Sequence, residues 1–179
     1  MNAVVTIGSL RTDHGGDTVG PTLRDSGEIA QIPEGDMREM FLYDDVWMRI
    51  GAFNFTQGTT PLLDFCMSLQ FALRGLAVAG KSTMSFPDVV TRVRFTLDDA
   101  TVNVRSTSEA DGRGECSFLQ LTSAVCLFQR SALDAVTRDN PDLLFNDLVE
   151  RLFREYGVRE LGEEQFARHT QAMRRRYSG

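Results

Sequence analysis

The stretch TTPLLDFCMSLQFALRGLAVAG, residues 59–80, constrains this chain more than any other. Leu62, Cys66, Leu69, Leu73 and Leu76 recur at i, i+4, i+7, i+11 and i+14, one stripe down an α-helix. Phe65, Met67, Phe71 and Ala72 widen that stripe until Asp64, Ser68, Gln70 and Arg74 carry the polar remainder. A helix this apolar needs cover on most sides, so it belongs at the centre of a fold. Thr60 is placed to cap it, with Pro61 at the first helical position, where its missing N–H costs nothing.

The end of the same stretch raises a chemical question. GLAVAGKST, residues 75–83, fits the phosphate-loop pattern G-x-x-x-x-G-K-[ST]. That motif works when a strand delivers the glycines and a helix begins at the Lys-Ser/Thr, so that helix amides face the phosphates. Here a helix runs into the motif, and TMSFPDVVTRVRF follows with strand-like alternation and a proline. Gly80 therefore reads as a helix end in the left-handed conformation, and no nucleotide cofactor is expected.

The remaining patterns supply partners for the helix. Residues 3–10 read as a first strand, and residues 11–27 as a long glycine-rich loop, with EIAQI as a short return strand. MFLYDDVWMRIGAFNF reads as strand, Asp44-Asp45 turn, strand, with Val46, Met48 and Ile50 on one face. VVTRVRFTL and ATVNVRS form a second hairpin about Asp98-Asp99, its Val93, Phe95, Leu97, Val102 and Val104 on the buried side. TSEADGRGE then reads as a polar loop.

From Ser117 onward the pattern is helical. Ser117 and Gln120 make an S-x-x-Q capping box before a helix bearing Leu121, Val125, Phe128, Ala132 and Ala135. Asn140-Pro141 ends it, and PDLLFNDLVERLFREYG continues with Leu144, Leu148 and Leu152. A last helix over residues 162–177 begins with Glu163 and Glu164 and ends with Arg174, Arg175 and Arg176, as the helix dipole favours. The expected class is α+β: an antiparallel, hairpin-built sheet packed on a central helix, with a helical C-terminal segment. One domain over residues 1–179 is the expected organisation, with sheet and central helix (60–79) in 1–115 and three helices in 116–179.

Charge and cysteines bound the function. The formal net charge of −6 is concentrated in residues 1–50, where four arginines meet nine carboxylates. A surface so short of cations does not suit nucleic acid. No run of apolar residues suggests a membrane span, and no secretory leader is read at the N-terminus. Cys66, Cys116 and Cys126 are an odd number without C-x-x-C spacing, which fits reduced thiols and a cytoplasmic setting.

Catalytic machinery is not legible. Asp13, His14 and Asp17 could approach a metal only in the glycine-rich loop, and His169, the other histidine, lies far along the chain. There is no G-x-S-x-G elbow. The expectation is therefore a protein-binding module rather than an enzyme, without metal or cofactor, and open to self-association. Its acidic N-terminal half would engage a basic protein through Tyr43, Asp44, Asp45 and Trp47, as a small inhibitory or immunity-type protein does. The alternative is an enzyme or small-molecule binder in which Arg92, Arg94 and Arg105, on the polar face of the second hairpin, hold an anionic ligand.

Overall fold

The computed structural model describes residues 4–9, 32–40, 43–86, 89–139, 143 and 146–156. The glycine-rich loop with Asp13, His14 and Asp17, most of EIAQI, the Asn140-Pro141 stop, His169 and the helix expected over 162–177 lie outside the described residues.

Two antiparallel sheets flank helices in an α+β fold. Strand β1 (Val5–Ser9) is followed by a short helix α1 (Glu34–Met40) and by β2 (Tyr43–Ile50) and β3 (Phe53–Pro61), in the order β1-β2-β3. Helix α2 (Leu62–Ala79) leads to β4 (Lys81–Phe86), β5 (Val89–Asp98), β6 (Thr101–Ser106) and β7 (Arg113–Ser117), in the order β4-β5-β6-β7. Helices α3 (Phe118–Asp139) and α4 (Asp147–Tyr156) complete the described chain. The hairpins thus belong to two sheets rather than one. Chain geometry explains it: β3 passes straight into α2, which carries the chain about 27 Å before the next strand begins.

Helix α2 is the hub. All five stripe residues are buried, and Leu62, Leu63, Phe65, Leu69 and Leu76 are at most 1% exposed. It is long and apolar enough, by length and composition, to cross a membrane, but ten of its residues are buried in the core. Phe65 meets Phe128 of α3 edge-on at 5.5 Å and Phe86 of β4 at 6.1 Å, and Phe86 stacks on Phe55 of β3 at 5.1 Å, which joins both sheets and α3 to one core. Gln129 of α3, 2% exposed, donates from Nε2 to the Cys66 carbonyl at 2.7 Å. Arg38 of α1 donates to Asp64 Oδ1, its Nε at 3.0 Å, and docks the short helix beside α2.

Several local expectations shift by a few residues. Thr60 belongs to β3, and Pro61 occupies the N-cap position of α2 with no side-chain capping bond. Phe71 is on the helix but 55% exposed. Asp44 and Asp45 do not form a turn: β2 runs through them, with a bulge between Asp44 and Val46. The turn comes at Gly51-Ala52, where Gly51 adopts φ +57°. Local hydrogen bonding by the two carboxylates, expected of a turn, serves the bulge instead, since Asp44 Oδ1 accepts from the Asp45 N–H at 2.8 Å. The next hairpin turns at Asp99-Ala100, with Asp99 at φ +52°.

The capping box forms as expected. Gln120 N–H donates to Ser117 Oγ at 3.1 Å, and Ser117 N–H donates to Gln120 Oε1 at 2.9 Å. Helix α4 begins at Asp147, later than the expected start at Pro141, because Asn146 caps it: the Leu148 N–H donates to Asn146 Oδ1 at 3.0 Å.

Candidate functional site

The phosphate-loop question is decided by element order. Gly75 lies within α2, Gly80 ends it at φ +67° with its N–H bonded to the Leu76 carbonyl, and Lys81 opens β4. A helix N-terminus does not face Lys81, so the motif lacks its anion-binding geometry.

The acidic hairpin residues divide their duties. Tyr43 is 44% exposed and Asp45 is exposed, while Asp44 and Trp47 are half-buried. Asp45 Oδ1 accepts the Thr59 N–H at 3.0 Å, which holds Thr59 at φ +48° opposite the bulge. Trp47 faces away from Val46 and Met48, as alternation requires, and lies on the backbone of β1. A Cβ on Gly8 would come within 2.7 Å of the indole Cε2, so only glycine fits beneath the ring.

The outer face of the β4–β7 sheet carries a row of charge that no described residue pairs. Strand alternation sends Val93, Phe95, Val102, Val104 and Cys116 into the core and Arg92, Arg94, Arg105 and Arg113 outward. Register then places Arg94 opposite Arg105 and Arg105 opposite Arg113. Three guanidinium-bearing side chains thus stand in one row across neighbouring strands about 4.8 Å apart. None of these three, nor Arg92, makes an ion pair with a described residue. Like charges directly opposed across a ladder are destabilising, by about 0.2–1 kcal/mol per pair.

Arg113 is the member that the sequence did not disclose, since residues 107–115 read as a loop. Its place is set by its glycine neighbours. A Cβ on Gly114 would collide with the Ile50 carbonyl oxygen and lie 2.8 Å from Phe53 Cβ. One on Gly112, at φ +72°, would lie 2.8 Å from the Ala52 carbonyl oxygen. The two glycines let β7 close against the β2–β3 turn, and Arg113 between them is aimed outward beside Arg105. Gly-x-Gly ahead of Cys116 was the available signal.

Two shallow hollows share this row. One, of about 450 Å³, adds Thr96, Asn103 and Glu115 to the three arginines. The other, of about 410 Å³, adds the Ser106-Thr107-Ser108 connection, Glu109 and Gly112. Thr107 Oγ1 accepts the Arg92 N–H at 2.9 Å, and Ser106 Oγ accepts the Ser108 N–H at 3.0 Å, which fixes the wall of the second hollow. Arg92 stands on the same face but lines neither hollow.

The thiols offer no competing chemistry. Burial pushes Cys66 far up and Cys116 to about 11, and raises Cys126 as well, so all three stay protonated and weakly nucleophilic near neutrality. Among the described residues no group of three or more His, Cys, Asp or Glu side chains is placed to hold a metal ion. No family model matches the chain, and neither a curated protein nor a solved structure is significantly similar to it.

Proposed function

We propose that this chain is a binding module whose outer β5–β7 face, through Arg94, Arg105 and Arg113, holds an anionic group of its partner. The observation that carries this reading is the opposed row itself, in which no described carboxylate forms an ion pair with any of the three arginines, an arrangement of like charges that disfavours folding. An anion between the guanidinium forks turns that repulsion into charge-assisted hydrogen bonding. Binding rather than catalysis is favoured because guanidinium forks dominate the lining, and its hydroxyls, the Asn103 amide and the Glu109 and Glu115 carboxylates include no hydrogen-bonded nucleophile–base pair among the described residues.

Tripolyphosphate is a direct probe. Titrated at constant ionic strength, it should raise the unfolding temperature of the wild type by linkage. Arg94→Thr and Arg105→Thr should abolish that shift. Arg49→Thr, on the outer face of the other sheet, should keep it. Equal shifts in all four proteins would dismiss the arginine row as the site.

A second reading rests on Tyr43, exposed at the rim of β2 beside Asp45. Here the acidic hairpin engages a basic protein, as an inhibitory or immunity-type module would, in a cytoplasmic setting. Captured partners lost on Tyr43→Ser and retained by Arg105→Thr would favour it over the first.

A further inference from the structure

The arginine row is a ridge between two hollows, and that shape selects what lies on it. We infer that the anionic element recognised here is an extended acidic polypeptide with two carboxylates on alternate residues, running along the strand direction. The inference rests on the binding role proposed above for Arg94, Arg105 and Arg113.

Spacing decides the direction. One hollow opens toward Thr96 and Asn103, and the other toward Ser106 and Thr107, on the two sides of the row. Same-face positions along a strand repeat about every 7 Å, whereas neighbouring strands are about 4.8 Å apart. An extended peptide also presents side chains i and i+2 on one face about 7 Å apart. Laid along the strands, it lowers one carboxylate into each hollow, and residue i+1 points away above the ridge. Laid across the strands, its repeat of about 7 Å falls out of step with arginines spaced at about 4.8 Å.

Charge sets the length of the acidic motif. Glu115 borders the first hollow and Glu109 the second. Asp98 stands further along β5 on the same face, exposed at the hairpin end. A third acid at i+4 would fall outside both hollows, past the first toward Asp98 and past the second beyond the residues that line it, so two alternate acids suffice. The net charge of −6 offers a long polyanion no general attraction, and beyond a Debye length of about 8 Å the arginines are largely screened, so only a short motif at contact distance benefits from the row. The hollows are shallow and no aromatic side chain lines them, which suits a polypeptide laid on a sheet better than a nucleobase or an enclosed metabolite.

Fluorescence anisotropy with labelled synthetic peptides tests this on the full chain. One peptide carries two glutamates separated by a single serine. Its isomers carry them adjacent or separated by two serines, at the same net charge. The alternate peptide should bind roughly ten-fold tighter than either isomer, and a third alternate glutamate should add no affinity. Arg105→Thr and Arg113→Thr should erase the preference, and Arg49→Thr should keep it. Equal affinity for all isomers overturns the inference, as does tighter binding of a single-stranded oligonucleotide of matched length. Retention of tripolyphosphate with no peptide binding overturns the inference alone and leaves the anion-binding role standing. Loss of both overturns both.

Discussion

Arg94 and Arg105 face each other across the β5–β6 ladder, both exposed and neither bridged to a described carboxylate. Arg113 extends the repulsion on the far side of Arg105. The central residue of the three is therefore the one whose charge the fold tolerates least. Arg105→Glu converts two like-charge contacts into two opposite-charge contacts, and should stabilise the protein by about 1 kcal/mol. Arg105→Gln should gain about half as much. Both should lose tripolyphosphate binding. Urea midpoints supply the measurement, and a destabilised Arg105→Glu protein would show that the guanidinium has a structural duty instead.

The closure of β7 on the β2–β3 turn makes a second prediction, about Gly114. Its missing Cβ is where the Ile50 carbonyl oxygen sits, and this is backbone that cannot swing aside. Gly114→Ala should cost about 3 kcal/mol through overpacking and should also displace Arg113. Gly35, inside α1 with open space around the position of an added Cβ, is the internal control. Gly35→Ala should be neutral or stabilising by up to about 1 kcal/mol. Thermal unfolding of the two variants, with tripolyphosphate titration of any Gly114→Ala protein that remains folded, separates strain from a general intolerance of alanine.

The hydrophobic period made α2 and the two faces of β5 and β6 legible, because burial enforces alternation with few exceptions. Arg94 and Arg105 were legible for the same reason: they are the polar half of a strand whose other half is Val93 and Phe95. Arg113 was hidden by its glycines, whose purpose is visible only when the Gly51-Ala52 turn of a distant hairpin is pressed against them. The division into two sheets was hidden too, since alternation reveals a strand's faces but not its neighbours. Asp44 and Asp45 show the converse problem. Their residue type favours backbone hydrogen bonding, and a bulge uses that property as readily as a turn does.

The capping box joins β7 to α3 without a loop, so it supports the site indirectly. Ser117 is the last residue of the strand that carries Arg113, and also the cap of the helix that covers the sheet. Ser117→Ala should cost about 1 kcal/mol, and Ser117→Asp or Ser117→Thr should recover most of it. Amide hydrogen exchange should quicken first in the opening turn of α3, at Leu119 to Leu121. Uniform loss of protection across the molecule would mean that the cap acts on global stability alone.

Cys116 predicts an alkaline weakness. Its thiol is buried behind the arginine row and pushed up to about 11, while an unfolded cysteine titrates at about 8.5. Below that unfolded value both states hold the proton and pH has no effect through this group. Above it the unfolded chain sheds a proton that the folded chain keeps, so unfolding becomes easier as pH rises, until the folded thiol also titrates at about 11. Cys66 and Cys126 are raised in the same direction and add to the decline. Cys116→Ala should be less stable than the wild type at about pH 7.5, from the small cavity it leaves. The gap between the two proteins should narrow at about pH 10.5, because the variant has lost one of the groups responsible for the decline. Other alkaline titrations are common to both proteins and cancel in the difference. Denaturation midpoints at the two pH values decide the matter: a gap that stays constant means the Cys116 thiol titrates alike in the folded and unfolded chains.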